Sequence, residues 1–73
     1  MQVKEFFDME IKEQLVAARA KCNLTQEELA KELGVSFSTV NRWECGRSKP
    51  TRKALFVFKE FCKKRGVELE DVE

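Results

Sequence analysis

The 73-residue sequence contains no histidine. This absence removes the side chain that most often serves as a general base and that commonly binds metal ions. A Gly-rich phosphate loop and a Ser/His or Cys/His pairing are also missing. The acidic pair Glu27 and Glu28 falls in the first turn of a predicted helix, where carboxylates favour the helix dipole. We therefore expect no catalytic residue, no cofactor and no metal ion, and a function other than that of an enzyme.

Long apolar runs are absent as well. No segment approaches the roughly 20 apolar residues that span a bilayer, and the N-terminal sequence MQVKEFFDMEIK is too charged for a signal peptide. The cysteines are few, odd in number and widely spaced, at Cys22, Cys45 and Cys62. This spacing favours reduced thiols that act as small buried hydrophobes over a disulfide framework or a zinc site. We expect a cytoplasmic protein without a membrane partner.

Two short helical patterns with a tight link occupy residues 25–46. Thr25 and Glu28 form an S/T-x-x-E capping box for the first pattern, and Ser36 can cap the second. Gly34 falls where the first helix must end in a left-handed residue. Two helices joined so closely pack at a steep angle, which predicts a helix-turn-helix unit.

Hydrophobic periodicity over the whole chain predicts an all-α protein with helices at about 8–22, 26–33, 37–45 and 52–65. Thr51 would cap the fourth helix, and Gly46 and Gly66 would end the third and fourth. The predicted inward residues are Ile11, Leu15, Ala18, Cys22, Leu29, Ala30, Leu33, Val40, Trp43, Leu55, Phe58 and either Phe61 or Cys62. We expect a single domain over 1–73, with a core at 8–66 and an acidic tail at 67–73 that is frayed or disordered.

The charge is nearly balanced in total, at +1, but it is segregated along the chain. Residues 36–65 hold nine lysines and arginines and only two acids, a local balance of +7, whereas residues 66–73 hold four acids and no base. Arg52 and Lys53 also fall in the first turn of the fourth helix, where cations oppose the helix dipole. This distribution predicts a basic face for a polyanion. The alternatives are charges scattered over a solvated surface and a chance arrangement at the helix start.

The segment TQEELAKELGVSFSTVNRWECGRSKP, residues 25–50, resembles the helix-turn-helix of the phage-repressor and Cro family, the XRE-type regulators. The match comprises T-Q-E-E-L-A, then L-G-V-S, then S-T-V-x-x-W-E-x-G and a following proline, and Arg19 extends it upstream. The resemblance implies a compact lambda-repressor-like fold of four to five helices. It also implies a sequence-specific regulator that binds double-stranded DNA. We expect a repressor, because a small domain bound to an operator chiefly blocks access to it.

In this family the third helix enters the major groove, so the resemblance assigns residues of that helix to base contacts. These residues are Phe37, Ser38, Thr39, Asn41 and Arg42. Arg42 can donate two hydrogen bonds to guanine O6 and N7. Phe37 stands where many family members have a polar residue. It either contacts thymine methyl groups or folds back over the core.

The resemblance also implies supporting roles. Expected phosphate contacts are Thr25, Gln26, Arg47, Lys49 and Arg52. Arg19 and Glu44 would form an ion pair between the first and third helices, with Trp43 in the core and Gly34 in the turn.

Relatives of this kind usually bind DNA as symmetric dimers, so we expect a homodimer on DNA. Phe6, Phe7 and Phe56 are hard to place in so small a core and are candidates for self-association or a partner surface. An alternative function follows from them: a protein-interaction module, such as an antitoxin or adaptor, that docks a partner protein through these phenylalanines.

Overall fold

The computed structural model describes residues 10–67, and these residues form four α-helices with no strand among them. The helices are α1 (Ile11–Cys22), α2 (Gln26–Leu33), α3 (Phe37–Glu44) and α4 (Arg52–Arg65). The all-α prediction is confirmed, and α2 and α4 have the predicted bounds. None of the helices in this part of the chain is long and apolar enough to cross a membrane.

Two helix ends differ from the prediction. Helix α1 begins at Ile11 rather than near residue 8, because Glu10 is its N-cap and forms a reciprocal capping box with Glu13. Glutamate is not among the residues preferred at the N-cap, so Glu10 is a weaker sequence signal than a serine, threonine or aspartate. Helix α3 ends at Glu44, with Cys45 as its C-cap.

The other helices start at the side-chain caps that the sequence indicates. Thr25 Oγ1 accepts a hydrogen bond from Glu28 N at 3.0 Å, while the Glu28 carboxylate accepts one from Thr25 N at 2.8 Å. Ser36 caps α3 and Thr51 caps α4 in the same manner, each accepting from a backbone N–H at 3.1 Å. These bonds satisfy N–H groups that have no partner inside the helix.

The turn between α2 and α3 depends on Gly34, whose φ is +72°. This left-handed conformation lets Val35 N donate to Ala30 O at 3.0 Å, which closes the end of α2 and reverses the chain. Gly46 has a φ of +79° after α3 and plays the corresponding part. Gly34 therefore forms the turn that joins α2 to α3, and Gly46 lies at the C-terminal end of the helix-turn-helix.

The core lies between all four helices and is lined by apolar side chains. Its buried members are Leu15, Ala18, Leu29, Ala30, Leu33, Val40, Trp43, Phe58, Phe61, Cys62 and Val67. Ile11 and Cys22 of α1 are only partly buried against it. Leu55 was predicted to face inward, but it is only half-buried and is not part of the core. The buried residues of α4 are Phe58, Phe61 and Cys62, and the partly buried Ala54 and Val57 pack against the core beside them.

Val67 belongs to this core although the sequence placed it in the acidic tail. It follows Gly66, whose φ is +77°, and its backbone N–H donates to Cys62 O at 2.8 Å. The side chain is 7% exposed. This pairing of a C-terminal glycine with a following apolar residue is a frequent helix end, so Val67 closes α4. The rest of the tail lies outside the described residues.

Candidate nucleic-acid interface

Helix α3 has one face in the core and one in solvent. Val40 and Trp43 are buried, whereas Phe37, Ser38 and Arg42 are exposed. Phe37 is 51% exposed, so it does not fold back over the core. A large apolar ring at the start of an exposed helix face is free to contact another molecule. Of the two predictions for Phe37, the one in which the ring folds back over the core is excluded, and the outward-facing one agrees with the structure.

Three hydroxyl groups cluster at the N-terminus of α3. Ser36 Oγ lies 2.8 Å from Thr39 Oγ1 and 3.3 Å from Ser38 Oγ. A hydroxyl group can donate one hydrogen bond and accept two, so this cluster retains capacity for an external partner. The cluster thus presents polar groups beside Phe37 on the same exposed end of the helix.

Asn41 faces α2 instead of standing free on the helix surface. Its Nδ2 donates to Gln26 Oε1 at 3.1 Å, and the Cys45 thiol lies 3.9 Å from its Oδ1. The side chain is half-buried. In this arrangement the Asn41 amide links α3 to the first residue of α2.

Glu44 is the centre of a larger network. Its carboxylate accepts hydrogen bonds from Arg19 Nε at 2.8 Å, from Arg19 Nη2 at 2.9 Å and from Gln26 Nε2 at 2.8 Å. Arg19 Nη1 also donates to Leu24 O at 3.1 Å. The ion pair implied by the family resemblance is therefore present, and the Glu44 side chain is only 5% exposed. Hydrogen bonding to Glu44 raises the pKa of the Arg19 guanidinium.

Sequence reasoning missed the part that Gln26 takes in this network. Gln26 joins Glu44 and Asn41, which lie 18 and 15 residues further along the chain. No local spacing pattern indicates such a contact, because it exists only once α2 and α3 have packed. Gln26 was assigned a phosphate contact alone, yet its amide also holds α2 and α3 together.

Exposed cations lie on α3, on the connection that follows it and in the first turn of α4. The group comprises Arg42, Arg47, Lys49, Arg52 and Lys53. Within residues 10–67 none of these side chains makes an ion pair or a hydrogen bond. The sole acid in the sequence from Ser36 to Lys59 is Glu44, which is paired with Arg19. The positive charge of this surface is therefore not neutralised by the described residues.

The cysteines are in three different environments. Cys62 is buried, Cys22 is half-buried and Cys45 is exposed, and all three are free thiols. The expectation that all three are buried hydrophobes is wrong for Cys45, because the C-cap position of α3 turns it to the surface. Burial raises the pKa of the Cys62 thiol to about 11, and the nearby Cys22 adds to the shift. The part of the chain that is described holds no cluster of three potential metal ligands.

The fold and this surface define a small helix-turn-helix DNA-binding domain. The family model described as helix-turn-helix matches residues 15–69, and the chain therefore belongs to the helix-turn-helix family. Membership of this family makes it a DNA-binding transcriptional regulator of the XRE type. No solved structure matches the chain significantly.

Three relatives illustrate the range of the family. An uncharacterized HTH-type transcriptional regulator of Methanocaldococcus jannaschii is 44% identical over 62 residues, which cover 85% of this chain and 89% of the relative. The HTH-type transcriptional activator BcrR of Enterococcus faecalis is 40% identical, over 73% of this chain and 26% of its own length. The cryptic phage CTXphi transcriptional repressor RstR of Vibrio cholerae is 38% identical, over 64% of this chain and 42% of its own length. The chain thus spans most of the first relative and less than half of the other two.

Proposed function

We propose that this protein binds a specific double-stranded DNA sequence and reads it in the major groove with α3. The observation that carries the proposal is the exposed face of α3, which presents Phe37, Ser38 and Arg42 to solvent. It is joined by the exposed cations of residues 42–53, which no described residue neutralises. An α-helix fits the major groove, where each base pair presents a distinct pattern of donors, acceptors and methyl groups. Arg42 then pairs with a guanine, and Phe37 contacts a thymine methyl group.

The other residues predicted to contact bases differ in the role that we assign to them. Ser38 and Thr39 belong to the hydroxyl cluster at the start of α3 and can bond a base or a phosphate. Asn41 is held by Gln26, so we assign it to positioning of α3 in place of base reading. On this assignment, removal of the Asn41 amide alters the affinity for all sequences more than the preference among them.

Contacts with the phosphates of the DNA backbone would come from five residues: Thr25, Gln26, Arg47, Lys49 and Arg52. Thr25 and Gln26 lie at the N-terminus of α2, where the helix dipole favours a phosphate. The Thr25 hydroxyl accepts one bond from Glu28 N and still has a proton to donate. Gln26 Nε2 gives one proton to Glu44 and keeps a second. A phosphate at this position would therefore be tied to the same network that holds α3.

We further propose that the protein acts as a homodimer and as a repressor in the cytoplasm. One short recognition helix reads few base pairs, and a symmetric dimer doubles the site into a pseudo-palindrome. A dimer bound across a promoter excludes the polymerase without any further contact. The relatives include a named repressor and a named activator, so a reporter gene downstream of the selected site decides between the two.

The direct test is selection of bound fragments from a random pool of duplex DNA, with the affinity of the product titrated against salt. The proposal predicts enrichment of half-sites spaced by about one helical turn. It also predicts that log K falls linearly with log salt concentration by about 0.9 for each phosphate contacted. A bound fraction with no enriched sequence would contradict the proposal.

A second function is favoured by one further observation. Phe56 is 63% exposed on α4 and is not covered by the described residues. An exposed aromatic side chain of this size suits a protein contact, as in an antitoxin or adaptor. Arg42→Ala separates the two functions, because it should weaken operator binding and leave a protein contact at Phe56 unchanged.

A further inference from the structure

Lys12 of α1 lies over the glycine that follows α3. Its Cδ and Nζ atoms are 3.4 and 3.5 Å from the position that a Cβ atom on Gly46 would occupy. The residue is exposed, and within residues 10–67 its ammonium group makes no ion pair or hydrogen bond. A cation from the first helix is thus held against the connection between α3 and α4 without a described acceptor.

This placement is not explained by the stability of α1. Lys12 is in the first turn of α1, where a cation opposes the helix dipole by a few tenths of a kcal/mol. The carbonyl end of α3 lies next to Gly46 and attracts a cation weakly, but no hydrogen bond is formed there. An ammonium group with three donors therefore remains free for an external acceptor.

The surroundings of Lys12 indicate which acceptor fits. Gly46 is followed directly by Arg47 and shortly afterwards by Lys49, and both are exposed and without a side-chain partner among the described residues. Lys12 brings a third positive charge to this connection from a different element of the fold. Positive side chains that come from different elements of the fold can all contact the negatively charged phosphates of a DNA backbone. A phosphodiester group is therefore the acceptor that fits this surface.

We propose that Lys12 contacts a DNA backbone phosphate, so that the phosphate-binding surface extends from the α3–α4 connection onto α1. The inference rests on the proposed function, since it adds a residue to the same DNA complex. Lys12 would position the protein on the duplex without reading its sequence. It also gives α1 a direct part in binding, beside the indirect one that Arg19 has through Glu44.

The test compares the salt dependence of binding for three variants on the DNA selected by the wild-type protein. Lys12→Gln removes the charge, Lys12→Arg keeps it, and Lys31→Gln is the matched control. Lys31 is an exposed lysine without a described partner in the last turn of α2, at the end opposite Gln26. The thermal unfolding midpoint of each variant is measured as well, to check that the variant is folded. Lys12→Gln should not lower that midpoint, because it relieves the unfavourable charge at the start of α1.

We expect Lys12→Gln to reduce the slope of log K against log salt by about 0.9 per protomer, with an equal loss of affinity for specific and random DNA. Lys12→Arg and Lys31→Gln should keep the wild-type slope. An unchanged slope for Lys12→Gln, with steep salt dependence in the wild type, would overturn the role of Lys12 and leave the proposed function standing. If the wild-type protein itself showed no salt-dependent binding to duplex DNA, both proposals would fall together.

Discussion

Arg19 of α1 and Glu44 of α3 form a two-point ion pair, with Nε 2.8 Å from Oε2 and Nη2 2.9 Å from Oε1. The pair joins residues 25 positions apart, and Gln26 of α2 donates a third hydrogen bond to the same carboxylate. Three helices therefore meet at a single acidic group beside the exposed face of α3. The orientation of α3 depends on this group as well as on the core.

Removal of Arg19 should destabilise the protein more than removal of an exposed ion pair. In Arg19→Ala the Glu44 carboxylate, 5% exposed, retains one side-chain donor, Gln26. We expect the free energy of unfolding to fall by about 2 kcal/mol, below the full cost of breaking a buried pair because Arg19 is 23% exposed. Urea denaturation measures this loss.

Arg65→Ala is the matched control for Arg19→Ala. Arg65 pairs with Glu32 at 3.4 Å, and both side chains are more than one-third exposed. Its loss should cost less than about 1 kcal/mol, even with the contact of the guanidinium over the Phe61 ring included. Equal losses for the two variants would show that the Arg19–Glu44 pair contributes no more than a surface pair.

The contrast between these features shows what the sequence could predict. The caps at Thr25, Ser36 and Thr51 are local features, so the starts of α2, α3 and α4 were predicted correctly, as was the left-handed Gly34 that ends α2. The hydrogen bonds of Gln26 with Asn41 and Glu44 depend on how α2 and α3 pack, and residue spacing along the sequence does not predict that packing.

The same distinction holds for apolar residues of α4. Periodicity predicted burial of Phe58 and of either Phe61 or Cys62, and all three residues are buried. It also placed Leu55 inward, because so few apolar positions do not show where the buried face is centred. Burial of Val67 likewise depends on the turn that Gly66 makes. Hydrophobic periodicity therefore predicts which residues share a helix face more reliably than it predicts where that face ends.

The buried thiol of Cys62 should make stability depend on pH in the alkaline range. Burial, aided by Cys22, raises its pKa from 9.0 to about 11, so the folded protein keeps a proton that the unfolded chain loses. A raised pKa of this kind contributes stability that is complete below pH 9 and is lost as the pH rises toward 11. We expect a loss of about 1.4 kcal/mol by pH 10, measured by urea denaturation.

The thiol responsible is identified by comparing two cysteine variants between pH 7.5 and 10. Cys62→Ala should show a flatter dependence than the wild type, whatever its overall stability. Cys45→Ala removes an exposed thiol and should keep the wild-type dependence. Parallel curves for the wild type and Cys62→Ala would mean that Cys62 does not cause the decline.

Arg42 and Arg47 should have different effects on DNA binding, although both are exposed arginines. Because we propose a base contact for Arg42, we expect Arg42→Ala to cost about 1–3 kcal/mol on the selected site, with relaxed preference at one position of each half-site. Because we propose a phosphate contact for Arg47, we expect Arg47→Ala to weaken binding to all sequences alike and to lower the salt slope by about 0.9 per protomer. Binding to the selected and to scrambled DNA measures both effects. A uniform loss for Arg42→Ala would remove that residue from base reading.

Self-association should depend on Phe56. Its ring is 63% exposed, so Phe56→Asp should change the free energy of unfolding by no more than about 0.5 kcal/mol while it places a charge in any apolar contact made there. Light scattering at high micromolar concentration should show a dimer for the wild type and a monomer for Phe56→Asp. The control is Val16→Asp, which puts the same charge at a 44% exposed apolar site on α1 and should leave the dimer intact. A wild-type protein that is monomeric at this concentration would rule out self-association in the absence of DNA, and Phe56 would then be assigned to a partner protein.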